Sequence, residues 1–416
     1  AYNETFTGNP NNIQEELRRI QAVTKEDVNR VYNQYIKGKN SVILSVVPKG
    51  KPELVAKADN YTISTEGFVA AKDQYSGLTY NKAVDNFDRS KRPTAGKNPV
   101  VMVPELWTAN YKNGLKIIGT ESDEIPTVTL QLTMQGGHRL SMDNPDKAGI
   151  SSLTASMWNE DTENYTAEEF SNELEMLGSS IRVFGGSDAI EIYVQSLKKN
   201  LEPTLKLLEE RMFRPKFNED DFDRLKKQQL EGIANSATQP TVIANQVYSK
   251  LLYGEGHFLS LPSSGTTETV ESLTIEDVKQ FYKNSFSPSL AHLVVVGDIS
   301  ENEITSKLGF LEQWEKKDIK LSPDAKTPKI DKTRIYFVDK PDAAQSEIRI
   351  GYVAMPYDAL GDYYKSGLMN YTLGGAFNSR INLNLREDKG YTYGARSGYR
   401  GSKYGGTFTA SAGVRA

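Results

Sequence analysis

Apolar residues recur along this chain with two periods, and the points where the period switches predict its elements. In "PDKAGISSLTASMWNEDT" (145–162), Ile150, Leu153 and Met157 fall on one stripe of a helix. Asn144 is placed to cap that helix, and Pro145 suits a first helical position, where no N–H is needed. The spacing predicts a helix over 145–162. Its puzzle is a second face, where Ser152 and Ser156 sit one turn apart beside Ala155. "TAEEFSNELEMLG" predicts another helix, with Thr166 and Glu169 in capping-box positions, a Phe170–Leu174–Leu177 stripe and Gly178 as the stop.

Alternation marks the strands. "TVTLQLTM" is one, "LWTANYKNGLKIIGTE" is a hairpin turning at Asn113-Gly114, and "SIRVFGGSDAIEIYVQSL" is a second hairpin. Helical patterns fill most of 200–285, and "HLVVVGDI" reads as the closing strand. From about 333 the order strand, helix, helix, hairpin returns: "RIYFVDK" and "SEIRIGYVAM" as strands, 362–388 as helix, "YTYGARSGY" and "GTFTASAG" as strands. The class expected is α+β, with mainly antiparallel sheets packed against helices.

The chain also repeats itself. "VTKEDVNRVYNQYI" (23–36) aligns without gaps on "LTIEDVKQFYKNSF" (273–286), matching Thr24, Glu26, Asp27, Val28 and Tyr32 to Thr274, Glu276, Asp277, Val278 and Tyr282. Both copies carry a capping-box-like Thr and Asp, and each is followed by a β-rich run, "SVILSVV" or "AHLVVVG". Residues 1–56 therefore read as the end of one domain, 57–97 as a linker, 98–320 as a full domain and 330–416 as the start of another.

Composition changes this picture little. With 416 residues, 38% hydrophobic and 25% charged, two or three globular domains are expected. A net charge of −4 implies no broad surface for nucleic acid, and no apolar run approaches membrane-span length. There is no cysteine, hence no disulfide and no thiolate chemistry. "AYNETFTGNP" lacks a Met and a signal peptide, and "GGTFTASAGVRA" stops within a strand pattern, so a fragment of a longer chain is expected.

Candidate chemistry is sparse. The three histidines, His138, His257 and His292, are never one helical turn apart, and no H-E-x-x-H or H-x-x-E-H occurs, so no self-contained zinc site is expected. The glycine pairs of "RVFGGSD" and "TLGGAFNSR" read as turns or close-packing points. One segment resists a bland reading: "LGGAFNSRINLNLREDKGYTYGARSGY", with Arg380 and Arg386 six apart and Tyr391 and Tyr393 following a glycine. Residue chemistry alone favours a solvated charged surface. The alternative is an Arg and a Tyr converging on a peptide carbonyl or carboxylate.

The same segment resembles the C-terminal Arg/Tyr region of the insulinase (pitrilysin) family of zinc metallopeptidases, the inverzincins, which includes the mitochondrial processing peptidases. "YKNGLKII", "AGISSLTASMWNEDT", "TAEEFSNELEMLGSSIRV" and "LTIEDVKQFYKNSFSPSLAHLVVVGDI" resemble the repeated domain of that family in the right order, over nearly the whole chain. In active members the helix at 145–162 carries H-x-x-E-H, two zinc-binding His and a water-activating Glu. Ser152, Ala155 and Ser156 stand at those positions here. The remaining Glu ligand of the family would fall close to Glu231.

The resemblance implies a four-domain peptidase closing like a clamshell, with zinc in the first domain and an Arg/Tyr pair from the last. Residues 1–56 would end the second domain, 98–320 would be a degenerate third, and 330–416 a truncated fourth. Arg386 and Tyr393 would bind substrate. The partner would be the N-terminal catalytic half, the substrates peptides, and zinc the cofactor of the parent enzyme with none bound to this part. The alternative is a non-catalytic scaffold of the same family, such as a respiratory-complex core subunit; an unrelated peptide-binding module would leave the duplication unexplained. The family and the absence of cysteine suggest a bacterial periplasm or cell envelope. Arg386 is expected near a helix C-terminus, and one ring of Tyr391 and Tyr393 is expected buried with the other facing outward.

Overall fold

Helix entry in this protein is set by short polar boxes, and each one read from the sequence forms. In the computed structural model, which describes residues 2–58, 60, 77–79, 88, 90–91, 93–321 and 326–415, the Thr24 hydroxyl accepts the Asp27 N–H while the Asp27 carboxylate accepts the Thr24 N–H. Thr166–Glu169 and Thr274–Asp277 repeat the arrangement. The linker expected at 57–97 lies largely outside the described residues. The chain divides into two units, 1–97 and 98–416.

The first unit holds α1 (Tyr2–Thr7), α2 (Ile13–Gln21) and α3 (Lys25–Tyr35). The strand expected at 41–47 is not formed. This segment pairs with nothing among the described residues, and Val42 is 98% exposed. β-Branched residues favour a strand only where a neighbouring ladder receives their N–H and C=O groups.

The second unit contains two sheets. The first comprises β1 (Trp107–Asn110), β2 (Lys116–Glu121), β3 (Thr127–Gln135), β4 (Ser180–Gly185), β5 (Ala189–Leu197) and β6 (Ala291–Gly297), in the order β1-β2-β6-β3-β5-β4. Only β2 and β6 run parallel. The β1–β2 turn forms as predicted, with Gly114 at φ +95° and the Asn113 amide donating to the carbonyls of Leu311 and Trp314. Alternation places Val128, Leu130, Leu132 and Met134 of β3 in the core. Their cover comes from helices among α4 (Ile150–Met157), α5 (Ala167–Leu177), α6 (Leu201–Phe213), α7 (Glu219–Ser236), α8 (Pro240–Tyr253), α9 (Thr267–Glu271), α10 (Ile275–Ser285) and α11 (Glu301–Lys307), with Leu205, Leu208 and Met212 of α6 in the same core cluster.

The second sheet comprises β7 (Gln345–Ala354), β8 (Thr392–Ser402) and β9 (Gly405–Arg415), in the order β7-β9-β8. This repeats β3-β5-β4 of the first sheet, and α12 (Asp362–Asn370) and α13 (Arg380–Asn382) stand where α4 and α5 do. The strand expected at "RIYFVDK" is absent; residues 334–340 are exposed and pair with nothing among the described residues. α8 packs on β7, with the Tyr248 hydroxyl 3.3 Å from the Phe408 carbonyl and Arg349 donating to Asn245 at 2.9 Å.

The helix expected over 145–162 is shorter than its pattern. Pro145–Lys147 form one 3₁₀ turn, Asn144 makes no cap bond, and α4 starts only after Gly149, whose φ is +98°. The cause is distant in sequence. A Cβ on Gly149 would lie 2.8 Å from the Ser264 carbonyl, and one on Gly265 would lie 2.4 Å from that of Ala148. Two glycines let these backbones touch, and the chain kinks there instead of continuing the helix.

Candidate functional site

The puzzling face of α4 is explained by its neighbours. Ile150, Leu153 and Met157 are buried with Phe222 and Leu225 of α7, as the stripe predicts. Ala155 is buried on the other side, against β4. A Cβ on Gly185 would sit 3.1 Å from the Ala155 Cβ and 2.8 Å from the Ser151 carbonyl. Ser152 donates to the Ser263 carbonyl at 2.8 Å, and Ser156 is exposed. The small residues thus allow close helix–strand packing and pin the 254–266 loop.

These residues do not fit zinc. Two hydroxyls and a methyl offer no imidazole or carboxylate donor. Beside these apolar contacts, Gln229 of α7 donates to the carbonyls of Ser264 at 2.8 Å and of Gly149, just before α4, at 3.2 Å. Glu231, close to where the family's remaining Glu ligand would fall, lies two residues on, on the exposed side of the helix. The histidines stay apart. His138 is fully buried in a 3₁₀ turn, where burial lowers its pKa. His257 is stacked between Tyr253 and Phe258, and His292 lies on β6, opposite Thr133 of β3. Among the described residues, no group of three His, Cys, Asp or Glu side chains could hold a metal.

The Arg/Tyr segment is built differently. α12 runs into a π-helical turn at Tyr371–Gly375, and α13 into a second at Leu383–Asp388. π-Turns are rare and concentrate at functional sites. Gly374 permits the first to lie on β8, since a Cβ there would meet Ser397 Oγ and the Ser397 amide nitrogen. Arg386 sits in the last turn of the second, as expected, with its guanidinium 4.7 Å above the Phe377 ring and Nε 3.4 Å from Glu387. Arg380, six residues earlier, opens α13 on an exposed face.

The expectation that one of the two tyrosines is buried fails: Tyr391 is 56% exposed and Tyr393 89%. Residues two apart on a strand share a face, so Tyr391 and Tyr393 turn to the same, solvent-facing side. A bulge follows them: Thr392 pairs with Val414 but Ala395 with Ala412. Two buried asparagines hold this bulged strand. Asn382 accepts the Ala395 N–H at 3.0 Å, and Asn370 donates to the Ser397 carbonyl at 2.7 Å. Neither was singled out from the sequence. The available signal was two Asn at the ends of helical runs, where their helix propensity is poor.

Comparison with known proteins agrees with this geometry. The profile of the insulinase family, peptidase family M16, matches residues 117–263, and that of the peptidase M16 inactive domain matches 272–416. An uncharacterized zinc protease, YmxG of Bacillus subtilis, is 25% identical over 71% of this chain and 72% of its own length. A non-peptidase homolog, YmxG of Helicobacter pylori, is 25% identical over 67% of this chain and 63% of its own. The solved M16 inactive domain from Pseudomonas fluorescens superposes with a TM-score of 0.67, at 25% identity and 75% coverage of both chains. With these two profiles matching successive stretches of the chain, it belongs to the insulinase (M16) peptidase family.

Proposed function

We propose that this chain is the substrate-binding, non-zinc half of an M16 zinc endopeptidase that holds peptides in a clamshell chamber. In this reading residues 1–56 end a preceding homologous domain, 98–320 are a degenerate third domain and 330–416 begin the last. Zinc and the water-activating Glu belong to an N-terminal catalytic half, and α4 here keeps only its packing role. The observation that carries the reading is Tyr393: a phenol 89% exposed at the end of a bulged strand, contributing little to the core. Arg386 lies on the adjoining π-turn, and both side chains can donate to a peptide carbonyl.

Donors aimed at a developing oxyanion are each worth about 10²–10³ in turnover. In the complete peptidase, Tyr393→Phe is therefore expected to lower kcat by that factor, with the melting temperature unchanged. Arg386→Ala is expected to weaken substrate binding and turnover together. Steady-state peptide cleavage and thermal melting are the measurements. Intact cleavage by either variant, or unfolding of both, would remove the assignment. The loss of chemistry at Ser152, Ala155 and Ser156 equally supports a second reading, a non-catalytic partner subunit. Under it the catalytic half cleaves peptides equally well with and without this chain.

A further inference from the structure

The six-stranded sheet buries one side in the core, and alternation turns every second residue to the other side. One cross-strand row on that other side gathers charge. Register sets Lys116 of β2 beside His292 of β6, His292 beside Thr133 of β3, and Thr133 beside Glu191 of β5. Directly paired residues share a face and lie roughly 5 Å apart. Lys116 is exposed, while His292, Thr133 and Glu191 are half-buried.

A further basic group arrives from the second sheet. Lys403, in the turn between β8 and β9, lies close enough to His292 to act on its proton. That turn is anchored. The Tyr404 ring meets Phe258 edge-on with centroids 5.4 Å apart, and the Arg139 guanidinium lies 4.7 Å from the Tyr404 ring centre. Lys403 Nζ is 4.8 Å from the same ring. Among the described residues, neither Lys116 nor Lys403 forms an ion pair. The carboxylate in the row, Glu191, accepts the Gln131 amide at 3.1 Å. The His292 pKa lies below the usual histidine value, lowered by burial first and then by Lys403 and Lys116, with Glu191 acting the other way. The ring is therefore neutral at neutral pH, held between two ammonium groups.

We propose that Lys116, His292 and Lys403 bind a carboxylate, either the C-terminus or an acidic side chain of a peptide. The two lysines supply charge, and the imidazole N–H supplies a directed bond to a carboxylate oxygen. Charge selects the class. Two lysines set against Glu191 leave one net positive charge, which a monoanion neutralises. A phosphate dianion would bring a second negative charge beside Glu191 with no cation to meet it. A bound anion also favours the imidazolium, so the site takes up a proton with its ligand. The proposal involves neither Arg386 nor Tyr393 and stands whether or not that pair serves a substrate.

Imidazole NMR of the whole chain tests it, because only three histidines contribute signals. The ligands are an acetylated Ser-Ala-Ser-Ala acid, an acetylated Ser-Ala-Asp-Ala amide and, as the uncharged control, an acetylated Ser-Ala-Ser-Ala amide. The His292 signal is expected to shift saturably with one or both carboxylate peptides, at a Kd on the order of 1 mM, and not with the control. The peptide that acts separates a C-terminal from a side-chain carboxylate. Bound peptide should raise the His292 pKa, so affinity should increase as the pH falls from about 8 to 6. Lys116→Gln and Lys403→Gln should each weaken binding about two- to fivefold, as exposed ion pairs do, and the double variant should lose the response. Both lysines are exposed, and circular dichroism verifies that the fold is kept. No His292 response at about 20 mM peptide, beyond even a millimolar Kd, would overturn the proposal. So would an equal response to the control amide, undiminished binding in the double lysine variant, or inorganic phosphate binding tenfold tighter than either peptide. A response lost in Arg386→Ala would also overturn it, by moving the carboxylate to that residue.

Discussion

A protein carrying Ser152→His, Ala155→Glu and Ser156→His together is expected to take up no stoichiometric zinc and to be markedly less stable. The three changes rewrite the family motif, but the surroundings of α4 no longer accept it. Ala155 is 3% exposed and lies close to the backbone of Gly185 and β4. A Glu there places a carboxylate among apolar neighbours with no cation assigned to it. An uncompensated buried charge costs on the order of 3–5 kcal/mol. A third ligand is also wanting, because the polar α7 side chain bonded at the start of α4 is Gln229, an amide, while Glu231 is exposed. Ala155→Glu alone should account for most of the destabilisation, and Ser156→His alone, at an exposed position, should be nearly neutral. Metal analysis after dialysis and chemical denaturation measure the two parts. Near-stoichiometric zinc in a protein of unchanged stability would show that the site was dormant rather than dismantled.

Trp158→Ala is expected to have the largest effect of any single truncation. The indole is 2% exposed, meets Tyr282 and Phe286 edge-on with centroids 5.0 and 5.2 Å away, and donates to the Arg211 carbonyl at 2.7 Å. Removing a buried aromatic ring costs about 3–5 kcal/mol. The orphaned Arg211 carbonyl adds about 1–3 kcal/mol. The Arg211 guanidinium also donates to the main-chain carbonyl of Trp158, which the truncation leaves in place. Trp158→Phe retains a ring and loses the donor, and should cost much less. Urea denaturation followed by circular dichroism separates the two variants. A loss below about 1 kcal/mol for Trp158→Ala would mean that the aromatic cluster repacks around the hole.

What could be read from the sequence was whatever neighbouring residues decide among themselves. The capping boxes at Thr24, Thr166 and Thr274 need only a side chain and a backbone three positions apart. The α4 stripe needs only a 3.6 period, and the duplication only identity at fixed spacing. Features made by distant partners were misread. The start of α4 depends on Gly265 and Ser264, more than a hundred residues away. The apolar runs at 41–47 and 334–340 have strand composition but no ladder. At the candidate site, the helix-end position of Arg386 is local, and so is the shared outward face of Tyr391 and Tyr393, which follows from their spacing of two; the bulge after them, defined by pairing with β9, is not. The asparagines that bond sheet edges, Asn159, Asn370 and Asn382, carry no local mark of that task.

The position of β6 has a consequence for how the chain is made. β2 and β3 are neighbours in sequence, separated by five residues, yet they are not neighbours in the sheet, because β6 lies between them. Roughly 170 residues must follow β2 before β6 exists. At typical synthesis rates that is on the order of ten to thirty seconds on the ribosome. Throughout that interval β2 and β3 each present a bare inner edge, and closing them on one another would bury the wrong register. The sheet therefore closes late, after β3, β4 and β5 are made, and release of the chain before residue 297 leaves two adhesive edges with nothing to separate them.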